Sequence, residues 1–154
     1  MKINSTRFGS LDIDDSKVIG FPAGIIGFPE EKGFVLIHHG SSDAIAWLQS
    51  VRTPELALPV VGAHQFAPHY PDVPLSDAAR QAGLEGSPED MTALVVLCAS
   101  PGAPSTVNLA APIIVDASRW TGAQAILEGT RFSTREMFVL PEKAPQAVAM
   151  EATP

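Results

Sequence analysis

The stretch STVNLAAPIIVD, residues 105–116, decides the fold of this chain, because it joins two β-forming runs through a break. β-branched residues favour strands, whereas Pro112 cannot donate to a strand ladder and belongs at a strand start, an edge or a bulge. Asn108 lies between apolar neighbours, and burying an amide side chain without partners costs about 1–3 kcal/mol. The stretch therefore predicts a strand, a kink that Asn108 ties down, and a second strand.

Short apolar runs separated by turn signals continue on both sides of this stretch, which is typical of all-β proteins. Residues 91–99 form the most apolar run, and residues 33–39 and 44–51 are further strand candidates. Hairpin-like connections between successive runs indicate an antiparallel meander. We expect a mainly antiparallel all-β domain, barrel-like or a sandwich, of about eight to ten short strands.

One short helix is predicted near residues 76–82. Ser76 is the candidate N-cap and Gly83 the candidate stop. The preceding residues 66–74 contain three prolines and are expected to be irregular.

The length of 154 residues predicts a single domain, residues 1–140, followed by an Ala-, Pro- and Glu-rich flexible tail, residues 141–154. The net charge of −7 argues against direct nucleic-acid binding, which needs clustered basic residues. No apolar run approaches the ~20 residues that span a membrane. The single cysteine, Cys98, lies in an apolar run and is expected to be a buried, inert thiol. These features predict a cytoplasmic protein without membrane contact.

The sequence offers no convincing catalytic or metal-binding constellation. The acidic pairs at 14–15, 30–31 and 89–90 lie at turns and are expected to be solvated, so none is a good general acid. We therefore predict no catalytic residue, no cofactor and no metal. An alternative function is a small β-barrel enzyme that binds a metal or ligand in a pocket near His64, His69 and Tyr70.

The segment FPAGIIGFPE, residues 21–30, is too apolar for a free loop. Gly24 allows backbone angles that other residues avoid. Ile25, Ile26 and Phe28 are expected either to cap one end of the core or to form an exposed apolar patch for a partner.

Three segments of unusual composition resemble, in order and spacing, the FliW-type flagellar assembly factors. They are FPAGIIGFPE at residues 21–30, WLQS at residues 47–50 and TVNLAAPIIVD at residues 106–116. A weaker match is FAPHYPDV at residues 66–73, and together they cover most of residues 2–140. The resemblance implies a compact antiparallel, barrel-like β domain. It also implies that the protein binds flagellin in the cytoplasm and antagonises the translational regulator CsrA, which couples flagellin translation to flagellar assembly.

The resemblance also directs attention to particular partner-binding residues. Amphipathic helices at the ends of flagellin would dock in an apolar groove, for which Gly24, Ile25, Phe28 and Trp47 are candidates. Gln49 and Asn108 are polar candidates, although each could instead be an internal hydrogen-bond anchor.

CsrA binds RNA and must present positive potential, so an acidic surface would attract it. Residues 72–90 contain five acidic residues and one basic residue. The candidate CsrA-binding residues are Asp77, Glu85, Glu89 and Asp90.

Overall fold

The computed structural model describes residues 1–38, 45–66, 72–99, 102–127 and 134–137. The first strands are β1 (Lys2–Ser5), β2 (Gly9–Asp12), β3 (Ile19–Gly20), β4 (Gly33–Ile37), β5 (Ala46–Ser50) and β6 (Ala57–Gly62). The helix α1 (Asp72–Gln81) follows. The later strands are β7 (Met91–Cys98), β8 (Thr106–Val107), β9 (Ile113–Asp116), β10 (Thr121–Gln124) and β11 (Glu136–Met137). Within these residues, no helix is long and apolar enough to cross a lipid bilayer.

Seven strands form a closed barrel, in the order β7–β6–β5–β4–β3–β10–β9, and β9 pairs back with β7. All these pairs are antiparallel except β3 with β10, which is parallel. β1 and β2 form a separate hairpin, and β8 and β11 extend the sheet from β7. The expectation of a mainly antiparallel, barrel-like domain is confirmed.

The stretch at residues 105–116 runs along one edge of β7 and kinks between its two strands. β8 pairs with Leu97 and Cys98, and the Asn108 amide donates to the Val96 carbonyl, 3.1 Å away. β9 then pairs with Met91–Leu94. The two-residue step from Val96 to Leu94 on β7 thus faces a five-residue step from Asn108 to Ile113. Three extra residues leave the ladder there, which confirms the strand–kink–strand prediction.

Two apolar layers lie on opposite faces of the barrel wall. Inside, Phe21, Phe34, Leu48 and Ile113 are fully buried. Outside, a second buried cluster is covered by α1; it comprises Val61, Ala78, Ala79, Leu84, Val95, Leu97, Ile114 and several smaller neighbours. Because residues of β7 alternate between the two layers, the strand must be apolar on both faces.

The helix begins four residues earlier than the sequence indicates, so Ser76 lies inside it and not at its N-cap. Pro74 is compatible with this start, since a first-turn residue has no helical acceptor for its amide. The predicted stop is confirmed: Gly83 has φ +95°, and the amides of Gly83 and Leu84 donate to the Arg80 and Ala79 carbonyls. These two bonds form a Schellman motif.

The expectation that Cys98 is buried is wrong. It ends β7 beyond the barrel, opposite Thr106 of the short strand β8, and it is exposed. Alternation along β7 accounts for this, because Leu97 turns into the outer apolar layer while Cys98 turns away from it. The proposed tail, residues 141–154, lies outside the described residues.

Candidate partner-binding site

The loop between β3 and β4 folds into a tight turn at one end of the barrel. The Phe28 amide donates to the Ile25 carbonyl at 2.6 Å, and the Ile25 amide donates to the Phe28 carbonyl at 3.2 Å. Ile25 is buried in the inner core, whereas Ile26 is 55% and Phe28 41% exposed. The turn therefore does both things that were expected of it: it caps the core and presents an apolar patch to solvent.

Gly24 is required by the local geometry of this turn. Its φ is +71°, and a Cβ atom there would lie 2.6 Å from backbone atoms of Phe28 and Pro29. Both the backbone angle and the close approach exclude other side chains. The backbone conformation of the exposed turn therefore requires glycine at position 24.

Gln124 at the end of β10 joins the turn to the kink of residues 108–112. Its Oε1 accepts a hydrogen bond from the Ile26 amide at 2.9 Å, and its Nε2 donates to the Ala111 carbonyl at 2.9 Å. Ile126 follows two residues later and is 57% exposed. The backbone amides of the two exposed turn residues, Ile26 and Phe28, are therefore both hydrogen-bonded.

Glu31 joins the same loop to the end of β5, and its burial corrects the expectation that the 30–31 pair is solvated. Its carboxylate accepts hydrogen bonds from Ser50 Oγ and Thr53 Oγ1, each at 2.5 Å, and Arg52 lies 3.8 Å away. The side chain is 8% exposed. The hydroxyl donors of Ser50 and Thr53, with Arg52, hold the pKa of Glu31 below its ordinary value.

Asn108 has the anchoring role left open for it, since its Oδ1 accepts from the Ala110 amide at 3.0 Å. Gln49 is fully buried: its Oε1 accepts from Ser5 Oγ at 2.7 Å, and its Nε2 donates to carbonyls of residues 50, 53 and 54. Both side chains are engaged in hydrogen bonds within the chain. Their contact with a partner stays a prediction.

Trp47 lies on the outer face of β5, beneath the β1–β2 hairpin. The Arg7 guanidinium lies 4.1 Å from its ring centroid, and the Phe8 ring packs edge-on at 5.9 Å. The aromatic and cation–π contacts of Trp47 are with the turn of this hairpin, and its place in one groove with the 25–28 turn stays a prediction.

The acidic candidates lie on α1 and on the segment after it. Asp77 pairs with Arg80 at 2.5 Å, and Glu85 pairs with Arg119 at 3.4 Å. Glu89 is exposed and Asp90 half-buried, and neither has a basic partner in the described part of the chain. Within the described ranges, these two carboxylates therefore form no ion pair, unlike Asp77 and Glu85.

The alternative ligand pocket depended on three residues, of which the structure describes one. His64 is exposed, and its imidazole lies against the backbone of Gly62, where a Cβ atom would be 2.5 Å from His64 Cε1. His69 and Tyr70 lie outside the described residues. Among the described residues, no group of three His, Cys, Asp or Glu side chains could hold a metal ion.

Hydrogen bonds link the loop that contains the first signature segment, residues 21–30, to each of the other two segments. Glu31 links this loop to Ser50, and Gln124 links it to residues 108–112. Sequence reasoning missed both linking residues. Glu31 follows another glutamate in a polar turn, and Gln124 lies in a small-residue strand, so neither carries a local signal of its long-range partner.

Comparison with known proteins agrees with this architecture. The family model described as FliW protein matches residues 2–138. "Flagellar assembly factor FliW" of Geotalea uraniireducens (strain Rf4) is 37% identical over 138 residues, which are 90% of this chain and 84% of that protein. The protein of the same description from Heliobacterium modesticaldum (strain ATCC 51547 / Ice1) is 38% identical over 136 residues, 88% of each chain.

A solved structure described as the crystal structure of the flagellar assembly factor FliW superimposes with a TM-score of 0.77. The two chains are 30% identical, and the match covers 92% of this chain and 99% of that chain. Both the sequence match and the closed barrel therefore lead to the same assignment. The chain belongs to the FliW family of flagellar assembly factors.

Proposed function

We propose that this chain is a non-catalytic, cytoplasmic binding protein with two partners, flagellin and the translational regulator CsrA. Free of flagellin, it binds and antagonises CsrA; bound to flagellin, it releases CsrA. Flagellin supply would thereby control flagellin translation.

The exposed turn of residues 25–28 carries the flagellin part of the proposal. Ile26 and Phe28 expose large apolar side chains on a backbone fixed by hydrogen bonds, and Ile126 adds a third near the same barrel end. Rigid apolar side chains of this kind suit the apolar face of an amphipathic helix, whose anchors recur every three to four residues. Flagellin ends are expected to supply such helices.

The acidic residues after α1 support the CsrA part. Glu89 and Asp90 lack a neighbouring cation among the described residues, whereas Asp77 and Glu85 are paired. An uncompensated acidic surface attracts a basic partner and disfavours RNA phosphates at the same place. Antagonism of CsrA would follow from occupation of its basic surface.

Calorimetric titration of the full chain with flagellin and with CsrA from the same source organism tests the proposal. We expect both to bind and flagellin to displace CsrA. Ile26→Ser combined with Phe28→Ser should weaken flagellin binding about tenfold or more, because each loses apolar burial in the complex. Met137→Ser is the matched control, since Met137 is a 60% exposed apolar residue on β11. Absence of binding by either partner at micromolar concentration would overturn the proposal.

A further inference from the structure

We propose that Gln124 is a positioning residue that holds the 25–28 turn ready for its partner and so sets the rate of docking. This inference rests on the proposed function, because the partner concerned is flagellin. It adds a residue that controls binding without contacting the partner.

The two hydrogen bonds of Gln124 fix its orientation. Ile26 offers a backbone donor and Ala111 a backbone acceptor, each 2.9 Å from the Gln124 amide group. One amide orientation therefore satisfies both, with Oε1 toward Ile26 and Nε2 toward Ala111. Only a side chain of this length that has both a donor and an acceptor can make these two hydrogen bonds.

The turn depends on this link because its outer residue has little packing to orient it. Ile26 is 55% exposed, so its side chain is placed mainly by its backbone. The bonds between Ile25 and Phe28 close the turn on itself, while the Gln124 bond ties it to the barrel wall. A partner meets the turn already in place, which reduces the ordering cost of binding.

The other end of the link is itself well anchored. Asn108 Oδ1 accepts from the Ala110 amide, and the Ala110 carbonyl accepts from the Leu127 amide at 2.8 Å. The Pro112 carbonyl accepts from the Ala125 amide at 2.9 Å. Residues 108–112 thus give Gln124 a fixed acceptor. Both polar atoms of Gln124 are used internally, so its effect on a partner passes through the turn.

Binding kinetics with flagellin and amide hydrogen exchange by NMR test the inference on Gln124→Met, which keeps the shape and removes both bonds. We expect the association rate to fall about fivefold, since loss of the bond to the Ile26 amide lowers the population of the presented turn. The dissociation rate should stay unchanged. Exchange at the Ile26 amide should accelerate more than at the Phe28 amide, whose acceptor lies within the turn.

Two further variants sharpen the test. Gln124→Glu keeps the acceptor for Ile26 and loses the donor for Ala111, so Ile26 exchange and the association rate should lie nearer the wild-type values. Gln81→Met makes the same chemical change at the exposed end of α1 and should change neither.

A wild-type association rate in Gln124→Met, with flagellin still binding the wild-type chain, would overturn the inference and leave the proposed function intact. Failure of the wild-type chain to bind flagellin would overturn both. If Gln124→Met does not fold, the wild-type chain still decides, because rapid exchange at its Ile26 amide would refute the link.

Discussion

The Phe21 ring occupies the space where Gly122 would carry a side chain. A Cβ atom on Gly122 would lie 2.7 Å from Phe21 Cζ and 2.9 Å from Cε2. Phe21 is fully buried and packs edge-on against Phe34, with ring centroids 5.3 Å apart. The Phe21 ring therefore fills the barrel interior beside β10 and leaves no room for a side chain at Gly122.

Gly122→Ala should destabilise the fold by about 1–3 kcal/mol, because overpacking a filled core forces its neighbours to shift. Urea unfolding measures the change. The double variant Gly122→Ala with Phe21→Leu should lose less than the sum of the single variants, since the smaller side chain makes room. Gly20→Ala is the control: its Cβ would meet its nearest atom at 4.0 Å. An equal loss for Gly20→Ala would contradict the steric account.

Glu31→Gln should lower the melting temperature at pH 7 and leave less pH dependence in the acid range. The pKa of Glu31 is held below its ordinary value by Ser50 and Thr53, so its ionised form stabilises the folded chain. That stabilisation is complete above the unfolded-state pKa, about 4.3, and is lost as the pH falls through the lower folded-state pKa.

Thermal melts from pH 7 down to pH 3 measure this difference between wild type and Glu31→Gln. The difference in melting temperature between the two proteins should become smaller as the pH falls. Glu30→Gln provides the matched control, since the neighbouring side chain is 83% exposed. If the difference in melting temperature stayed constant from pH 7 to pH 3, ionisation of the Glu31 carboxylate would not be the source of the stabilisation.

Gly24→Ala and Gly27→Ala separate backbone strain from steric exclusion in the same turn. Gly27 has φ +90° and open space where a Cβ atom would lie, so alanine there should cost about 1–2 kcal/mol. Gly24 adds to its φ of +71° a Cβ position 2.6 Å from backbone atoms, which cannot move aside cheaply. Gly24→Ala should therefore be the more destabilising variant in urea unfolding. The reverse order would refute this reading of the turn.

Glu89→Lys combined with Asp90→Lys should weaken CsrA binding about tenfold at low ionic strength, and less at high salt. Reversing Asp77 and Glu85 as well should add little, because their charges are already offset by Arg80 and Arg119. Titrations at two salt concentrations measure both effects. Asp12→Lys with Glu55→Lys makes the same net change at exposed positions elsewhere. Equal weakening by this control pair would attribute the effect to net charge alone.

Local patterns in the sequence predicted most of the barrel. The apolar run at residues 91–99 predicts β7, and Pro112 predicts the kink before β9; both signals are local in the sequence. Gly83 likewise predicts the end of α1. What sequence could not show is closure, because the parallel pairing of Gly20 with Thr121 joins residues that are distant along the chain.

Errors arise where a local rule has an exception or where a distant contact overrides it. The three prolines of residues 66–74 predict irregular structure, yet α1 begins at Asp72, and Pro74 fits the first turn of the helix. The polar sequence around Glu31 predicts a solvated carboxylate, yet that carboxylate is buried against Ser50 and Thr53. At the candidate site, exposure of Phe28 was one of two expectations, whereas the role of Gln124 depends on a contact with Ile26 across 98 positions of sequence.

The barrel ring closes through β9, whereas β8 lies farther along the same edge of β7, pairs there with Leu97 and Cys98, and pairs on its other side with β11. Separation of β8 from β7 would break those two residue pairs and the Asn108–Val96 hydrogen bond and would expose the buried Val107, but it would leave the seven barrel strands paired. Such sub-global opening needs less free energy than unfolding the whole domain. The β8–β11 extension is therefore not part of the ring of paired strands that closes the barrel.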